Sequence, residues 1–396
     1  MLALSSGAAT SQTLPSTVDN DQVQLGDVFA TQHINVIDPS QATTAVTTAS
    51  GNGAQASVPT GVLVVNSDQQ LKGNVISQTL LGSATGGPGR QVISATSSTG
   101  NSGDWSNADQ GEIRANLSQS AGNIGVTAYN TIYAPHGSSQ DASTSSQAVT
   151  NAQDVRIFRG DTGVKVNQSA TGITQAGADV NLSYIAGTGS FASTAVTNDV
   201  STAGQRSTQN TDITQLAGGS AVKAFQTATV NNGQTVAIGA TSTTNNVTST
   251  NSDGPMALKV DQNNYDYTRA QTVLWMYDYG TAQAQAMGVG NSTYAAETGP
   301  SLTLDNSQFT GGDGVEVISS VDVTNGFDAS STATAMGNAV TGFACSDCRG
   351  VMNVTNSQVN QGDVSATSSL TVHGTNSTAT SVATAAGNSA TFYVSH

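Results

Sequence analysis

The chain has 396 residues, of which 9% are Asp, Glu, Lys or Arg, and a formal charge of −15; an average globular domain carries roughly 25% charged residues. Only 11 Lys plus Arg, in no basic cluster, count against nucleic-acid binding. No stretch approaches the ~20 apolar residues of a membrane-spanning helix, Gly follows no three-residue collagen period, and a sequence low in charge but well supplied with Val, Ile and Thr favours strands over disorder.

In chain order, the segment Met1-Leu-Ala-Leu-Ser-Ser-Gly-Ala-Ala-Thr10 has the small residues of an export-signal end but neither a charged n-region nor a full h-region. Residues 1–20 are therefore expected to be a signal remnant or a disordered start, and residues 21–396 a single repeat domain.

The repeat is marked by Ala/Thr/Val-rich segments closing on Asn52, Asn101, Asn151, Asn198, Asn245, Asn291, Asn338 and Asn388, at spacings of 49, 50, 47, 47, 46, 47 and 50. Ser and Thr are so common that one match means little; eight in phase define about eight units of ~48 residues. A second signal is the shared Gly-Asp-Val-x-Ala-Thr of Gly26–Thr31 and Gly362–Thr367. An apolar-x-x-Asn or similar strand start also opens each unit in phase with these Asn residues, as in Val64-Val-Asn-Ser, Ile113-Arg-Ala-Asn, Val166-Asn-Gln-Ser, Val260-Asp-Gln-Asn, Leu304-Asp-Asn-Ser and Val354-Thr-Asn-Ser.

Within a unit the period is two. Val315, Val317, Ser319, Val321 and Val323 alternate with Glu316, Ile318, Ser320, Asp322 and Thr324, and Val364, Ala366, Ser368, Leu370 and Val372 behave alike. Gly-Asn, Asn-Gly and Gly-Gly steps supply turns. Repetition plus strands leads to an all-β fold, a parallel β-helix-like β-solenoid. Its equivalent strands stack ~4.8 Å apart, small residues fill its core, and recurrent Asn forms ladders. One long coil or two short ones per unit both suit the period. A propeller is the rival, and 5% aromatics count against it.

Tyr265, Tyr267, Trp275, Tyr277 and Tyr279 are the densest aromatic cluster. A strand over Thr272–Tyr279 sets Val273, Trp275, Tyr277 and Tyr279 on one face, a row able to stack on sugars or dock a protein, or else to thicken the core. Gly311-Gly-Asp-Gly314 has the look of a calcium-binding glycine repeat, but it occurs once. Cys345-Ser-Asp-Cys348 admits a redox pair, half a zinc site or a small disulfide. His33, His136, His373 and His396 lie in no ligand spacing near it, so the disulfide is preferred, and no metal or cofactor is expected. Near the end, Phe392 and Val394 alternate without a polar cap, as an edge open to strand addition by another chain would. No nucleophile elbow or other catalytic constellation is evident.

The Val-Asn-x-Ser strand starts, Ala-Thr-Ala-x-Gly-Asn unit ends and the Cys345–Cys348 turn give the whole chain a texture that resembles the holdfast anchor protein D family of stalked alphaproteobacteria. The resemblance implies a non-enzymatic protein on the extracellular face of the bacterial outer membrane, at the cell pole or stalk tip, peripheral to the membrane, that helps anchor an adhesive polysaccharide, the holdfast. It implies as partners that polysaccharide, a curlin-like anchor subunit and an outer-membrane pore protein similar to the curli channel. Another secreted β-helical adhesin or filament protein is the alternative, and a β-helical polysaccharide lyase or hydrolase a third reading.

Overall fold

The computed structural model describes residues 14–38, 41–84, 86–345 and 350–395. Their regular elements are all strands, wound into eight coils. The first three coils are β1 (Ser16–Gln24), β2 (Val28–Asn35) and β3 (Ala42–Val58); β4 (Gly61–Leu71), β5 (Val75–Gly82) and β6 (Gln91–Asn107); and β7 (Gly111–Ala121), β8 (Gly125–Ser139) and β9 (Asp141–Phe158). In the next three, the second and third sides run on as one bent strand. These are β10 (Gly160–Ala170) with β11 (Ile173–Gln205), β12 (Thr208–Ala217) with β13 (Ala221–Ser252), and β14 (Met256–Asn264) with β15 (Tyr267–Glu297). The last two are β16 (Ser301–Thr310), β17 (Val315–Thr324) and β18 (Gly326–Cys345), then β19 (Val351–Asn360), β20 (Val364–His373) and β21 (Thr378–Ser395).

Side one is the sheet β1-β4-β7-β10-β12-β14-β16-β19, and side two is β2-β5-β8-β11-β13-β15-β17-β20. Side three runs β3-β6-β9 and on through the second halves of β11, β13 and β15 to β18 and β21. Each repeat unit is thus one coil, and pairing between coils is parallel. The expected alternation holds in β17, where Val315, Val317, Ser319, Val321 and Val323 are buried and the residues between them are not.

Two boundaries differ from the sequence reading. The first coil begins at Ser16 rather than at residue 21, because Val18 already packs inward against the core. The landmark Asn residues do not close the units; they sit inside side three. At Thr150 and Asn151, Thr197 and Asn198, and Thr244 and Asn245, two consecutive residues are buried. This skip bends the strand toward side one, and the register with the neighbouring coils is the same on either side of it.

The interior divides into three apolar columns. One, under the bend between sides two and three, holds Ile132, Leu182, Phe191, Leu274 and Met276. A second, between side one and the end of side three, holds Trp105, Ile113, Leu117, Val166 and Ile213. The third is Ala-rich, with Ala148, Ala195, Ala240 and Ala286 facing Leu71, Val126, Val222 and Val317. Small side chains are required there because the sides approach closely: a Cβ at Gly288 would lie 2.7 Å from Val317 Cγ2.

Two buried amide ladders separate these columns. Asn52 Nδ2 donates to Asn101 Oδ1, and the bond repeats through Asn151, Asn198, Asn245, Asn291, Asn338 and Asn388 at 2.7–2.8 Å. Opposite it, Gln69 Nε2 donates back to Gln22 Oε1, and Gln119, Gln168, Gln215, Gln262, Gln308 and Gln358 each donate to the Gln before, at 2.8–3.0 Å. Each ladder also reaches across the interior. Asn198 Nδ2 donates to Leu216 O on side one, and Gln215 Nε2 donates to Asn246 O on side three. Those carbonyls settle which amide atom is nitrogen, since an amide oxygen would face a carbonyl oxygen. The paired ladders therefore stitch coil to coil and side to side, each buried bond contributing about 1 kcal/mol.

Charges on the outside follow the same stacking logic. Lys165, Asp212, Lys259 and Asp305 occupy one register column on side one, so the sign alternates from coil to coil.

Candidate functional site

Along β15 the odd-numbered side chains from Tyr267 to Tyr277 face outward, while Thr268, Ala270, Thr272, Leu274 and Met276 are buried. Trp275 and Tyr277 are 36% and 49% exposed. Trp275 stands between Thr229 and Asp322 on the neighbouring coils, small or polar residues that leave its ring face open. Tyr267 lies on the same face, about 26 Å from Trp275 along the strand, and its hydroxyl donates to Glu316. Desolvation, helped by Glu316, pushes its phenol up to about 12. Tyr265 sits at the preceding corner with its ring against Phe309, centroids 5.3 Å apart.

Tyr279 leaves the row. Tyr277 and Asp278 are both exposed, which shifts the alternation by one residue, and Tyr279 turns inward at 5% exposure. Its ring lies over Gly326, where a Cβ would be 2.4 Å away, and its hydroxyl donates to Asn376 Oδ1 at 2.7 Å. The expected face thus holds Val273, Trp275 and Tyr277, and the bend after them keeps Tyr279 out of it.

The bend opens a groove. Tyr184, Asn232, Asp278, Tyr279, Phe327 and Asn376, one or two from each of the last five coils, line a volume of about 790 Å³. It runs up the corner between sides two and three for roughly 19 Å at the usual strand spacing. Tyr184 and Phe327 are exposed on its walls. Between them lie planar amides and the Asp278 carboxylate, groups able to pair with hydroxyls while the rings stack on an apolar face. Trp275 and Tyr277 lead onto the same corner, so strip and groove form one continuous surface. The groove was not legible in the sequence, because its residues are coils apart and meet only through the corner geometry.

The other candidates fall elsewhere. Cys345 ends β18, with its backbone opposite Ser395; Cys348 lies outside the described residues, and the disulfide with it. Gly311–Gly314 forms the corner between β16 and β17. Gly312 and Gly314 there take φ of 65° and 79°, and Cβ atoms would meet Tyr265 O at 2.3 Å and Asp363 O at 2.0 Å, so the glycines serve the turn. Phe392 and Val394 lie opposite Gly342 and Ala344, on the inward-facing positions of the outer strand. Among the described residues no group of three or more His, Cys, Asp or Glu is placed to hold a metal ion, and no helix is long and apolar enough to cross a membrane.

Several carboxylates are shifted by burial. Asp199 is raised chiefly by desolvation, against a hydrogen bond from Asn246, with Asp154 raising it further. Asp266 is raised by desolvation, partly offset by the Gly219 and Ser220 amides at 2.8 and 2.6 Å. Glu297 is raised the same way, against the Gly299 amide. A carboxyl whose folded pKa lies above its unfolded value stabilises the fold fully below about pH 4, and that stability is lost as pH rises through the folded value. The urea midpoint is therefore expected to rise from pH 7 toward pH 4, and Asp199→Asn to flatten part of that rise. A midpoint that falls over this range in the unaltered protein would contradict the assignment.

Fold and surface together define a class: a three-sided parallel β-helix whose polar, repetitive sides carry an aromatic strip and a corner groove. The holdfast attachment protein D (HfaD) family model matches residues 37–314, well over half of the chain. The chain belongs to that family, whose name carries a role in holdfast attachment and so a place at the cell surface. No curated protein and no solved structure matches it.

Proposed function

We propose that the chain is a non-enzymatic surface rod that helps fasten an adhesive polysaccharide to the bacterial outer membrane, from its extracellular face at the cell pole or stalk tip. The observation that carries this reading is the Trp275–Tyr277 strip running onto the corner groove, on a scaffold tied through every coil by buried amides. A rod of parallel strands transmits load through many backbone hydrogen bonds at once. Weak sugar contacts repeated along a polymer add up to an avidity no single contact has. The partners in this reading are a curlin-like anchor subunit and a pore protein similar to the curli channel, which would deliver and seat the rod. The outer edge of β21, with Phe392 and Val394, is the surface on which another chain adds as a further strand. Deleting residues 390–396 tests it, and unchanged assembly rejects it.

The Trp275→Ser, Tyr277→Ser double variant tests the strip. At about 0.5–1.5 kcal/mol per ring, cell attachment should fall by roughly tenfold or more, with the urea midpoint nearly unchanged because both rings face solvent. Full attachment by a correctly displayed variant refutes the strip as the contact. Depolymerisation of holdfast polysaccharide by the purified chain would displace the anchor reading in favour of an enzyme.

A further inference from the structure

Three columns of side-chain amides reach the outer edges of coils 1 and 8, and each has a fixed direction. In the Asn column every Nδ2 donates toward the later coil. Asn388 Oδ1 is taken by Asn338, while its Nδ2 has only a long 3.4 Å contact to Gln358 O. At the other edge, Asn52 uses its Nδ2 for Asn101 and Gln70 O, so its Oδ1 is the group left facing outward. The Gln column runs the other way. Gln358 Nε2 is used by Gln308 and Ser389 O, leaving its Oε1 toward the open edge. Gln22 Oε1 accepts from Gln69, and its Nε2 holds Gly53 O with one hydrogen to spare.

The third column is confined to the ends. Its middle coils are apolar and buried: Leu117, Val166, Ile213 and Val260. Toward the edges the same register position becomes polar, with Asn20 on Ser67 at one end and Asn306 on Asn356 at the other. Asn306 Nδ2 donates to Asn356 Oδ1 at 2.8 Å and Asn20 Nδ2 to Ser67 Oγ at 2.9 Å, so Asn356 keeps a donor and Asn20 an acceptor for the outside.

We propose that two copies of this chain join head to tail, coil 8 of one stacking on coil 1 of the next as a further rung. In that register Asn388 donates to Asn52 of the second copy, its Gln22 donates to Gln358, and Asn356 donates to its Asn20. All three donor–acceptor pairs match at once, and the Asn356-to-Gln358 spacing equals that of Asn20 to Gln22. The shared Gly-Asp-Val-x-Ala-Thr segments, Gly26–Thr31 and Gly362–Thr367, both lead into the start of side two, in β2 and β20, and would lie on one another. Only unlike edges bring each column onto its own continuation, so the three matches specify a head-to-tail joint.

The test uses full-length chains in which Cys345 and Cys348 are replaced by Ser, one carrying Gln55→Cys and the other Thr391→Cys. Both positions are exposed, three residues past Asn52 and Asn388. A disulfide-linked dimer is expected when the two preparations are mixed under mild oxidation, and none from either alone. Asn388→Asp should weaken this association about 100-fold: the carboxylate keeps an oxygen for Asn338 but turns the joint's donor into an acceptor. Because Asn388 is exposed, the thermal midpoint should hold. Dimers within one preparation, no dimer in the mixture, or an Asn388→Asp chain that joins as well as its parent would each overturn the proposal. So would unaltered chains that sediment as single eight-coil particles at every concentration tried.

Discussion

Asn198→Leu is expected to cost about 3–9 kcal/mol of unfolding free energy, read from urea denaturation followed by circular dichroism. Asn198 is fully buried in the fourth coil. It accepts from Asn151, and it donates to Asn245 Oδ1 at 2.8 Å and to Leu216 O at 3.2 Å. Replacing its amide by methyl groups orphans one donor and two acceptors in an interior that water does not reach, at about 1–3 kcal/mol each. Asn388→Leu makes the same chemical change at an exposed rung, where only the Asn338 donor loses its partner, and should cost about 1–3 kcal/mol. The contrast is the point of the experiment: equal shifts in the two variants would mean that the ladder adds nothing beyond each residue's local fit. A solenoid's coils are held chiefly by their neighbours, so a broken rung in the middle also uncouples the coils on either side. Such a rod should lose stiffness under load before it loses its strands.

Trp105→Ala carries the second large expectation, a loss of about 3–5 kcal/mol. Trp105 is among the largest fully buried side chains and fills the second coil's share of the column that also holds Leu63, Ile113 and Val155. Its Nε1 donates to Gln153 Oε1 at 2.8 Å in the coil above. Gly103, two residues earlier, leaves room for that pair: a Cβ there would lie 2.3 Å from Gln153 Oε1 and 2.8 Å from the indole nitrogen. Truncation opens a cavity and strands Gln153 together. The effect should be local, because among the described residues a single coil, coil 1, packs on the outer side of coil 2. Hydrogen exchange should therefore accelerate in β1 to β6 while β13 and β15 keep their protection. Uniform acceleration along the chain would show that the coils unfold as a single unit.

The period was legible because stacking forces one residue type to recur wherever a side-chain amide must bond its own copy. The spacings of the eight landmark Asn residues are those of the hydrogen-bonded ladder. The Gln ladder is regular too, at a nearly constant offset after each landmark Asn, but nothing at a turn marks it among so many Gln, Ser and Thr residues. The strand-start matches were partly out of register: Val166 stacks on Leu117, not on Ile113. The inward swing of Tyr279 is hidden from the sequence for a different reason. Strict alternation from Thr272 puts it outside, and only a corner, where two neighbouring residues face the same way, reverses it.

By itself, then, the sequence determined the strand period, the coil length and the unbroken Asn column, since these depend on a residue's contact with its own repeat one coil away. The tertiary structure alone decided that each unit is a single three-sided coil, where the strip ends and where the groove opens. Those features depend on how far the chain bends at each corner, and the bend is set by packing between sides that are distant in sequence, which no local pattern records.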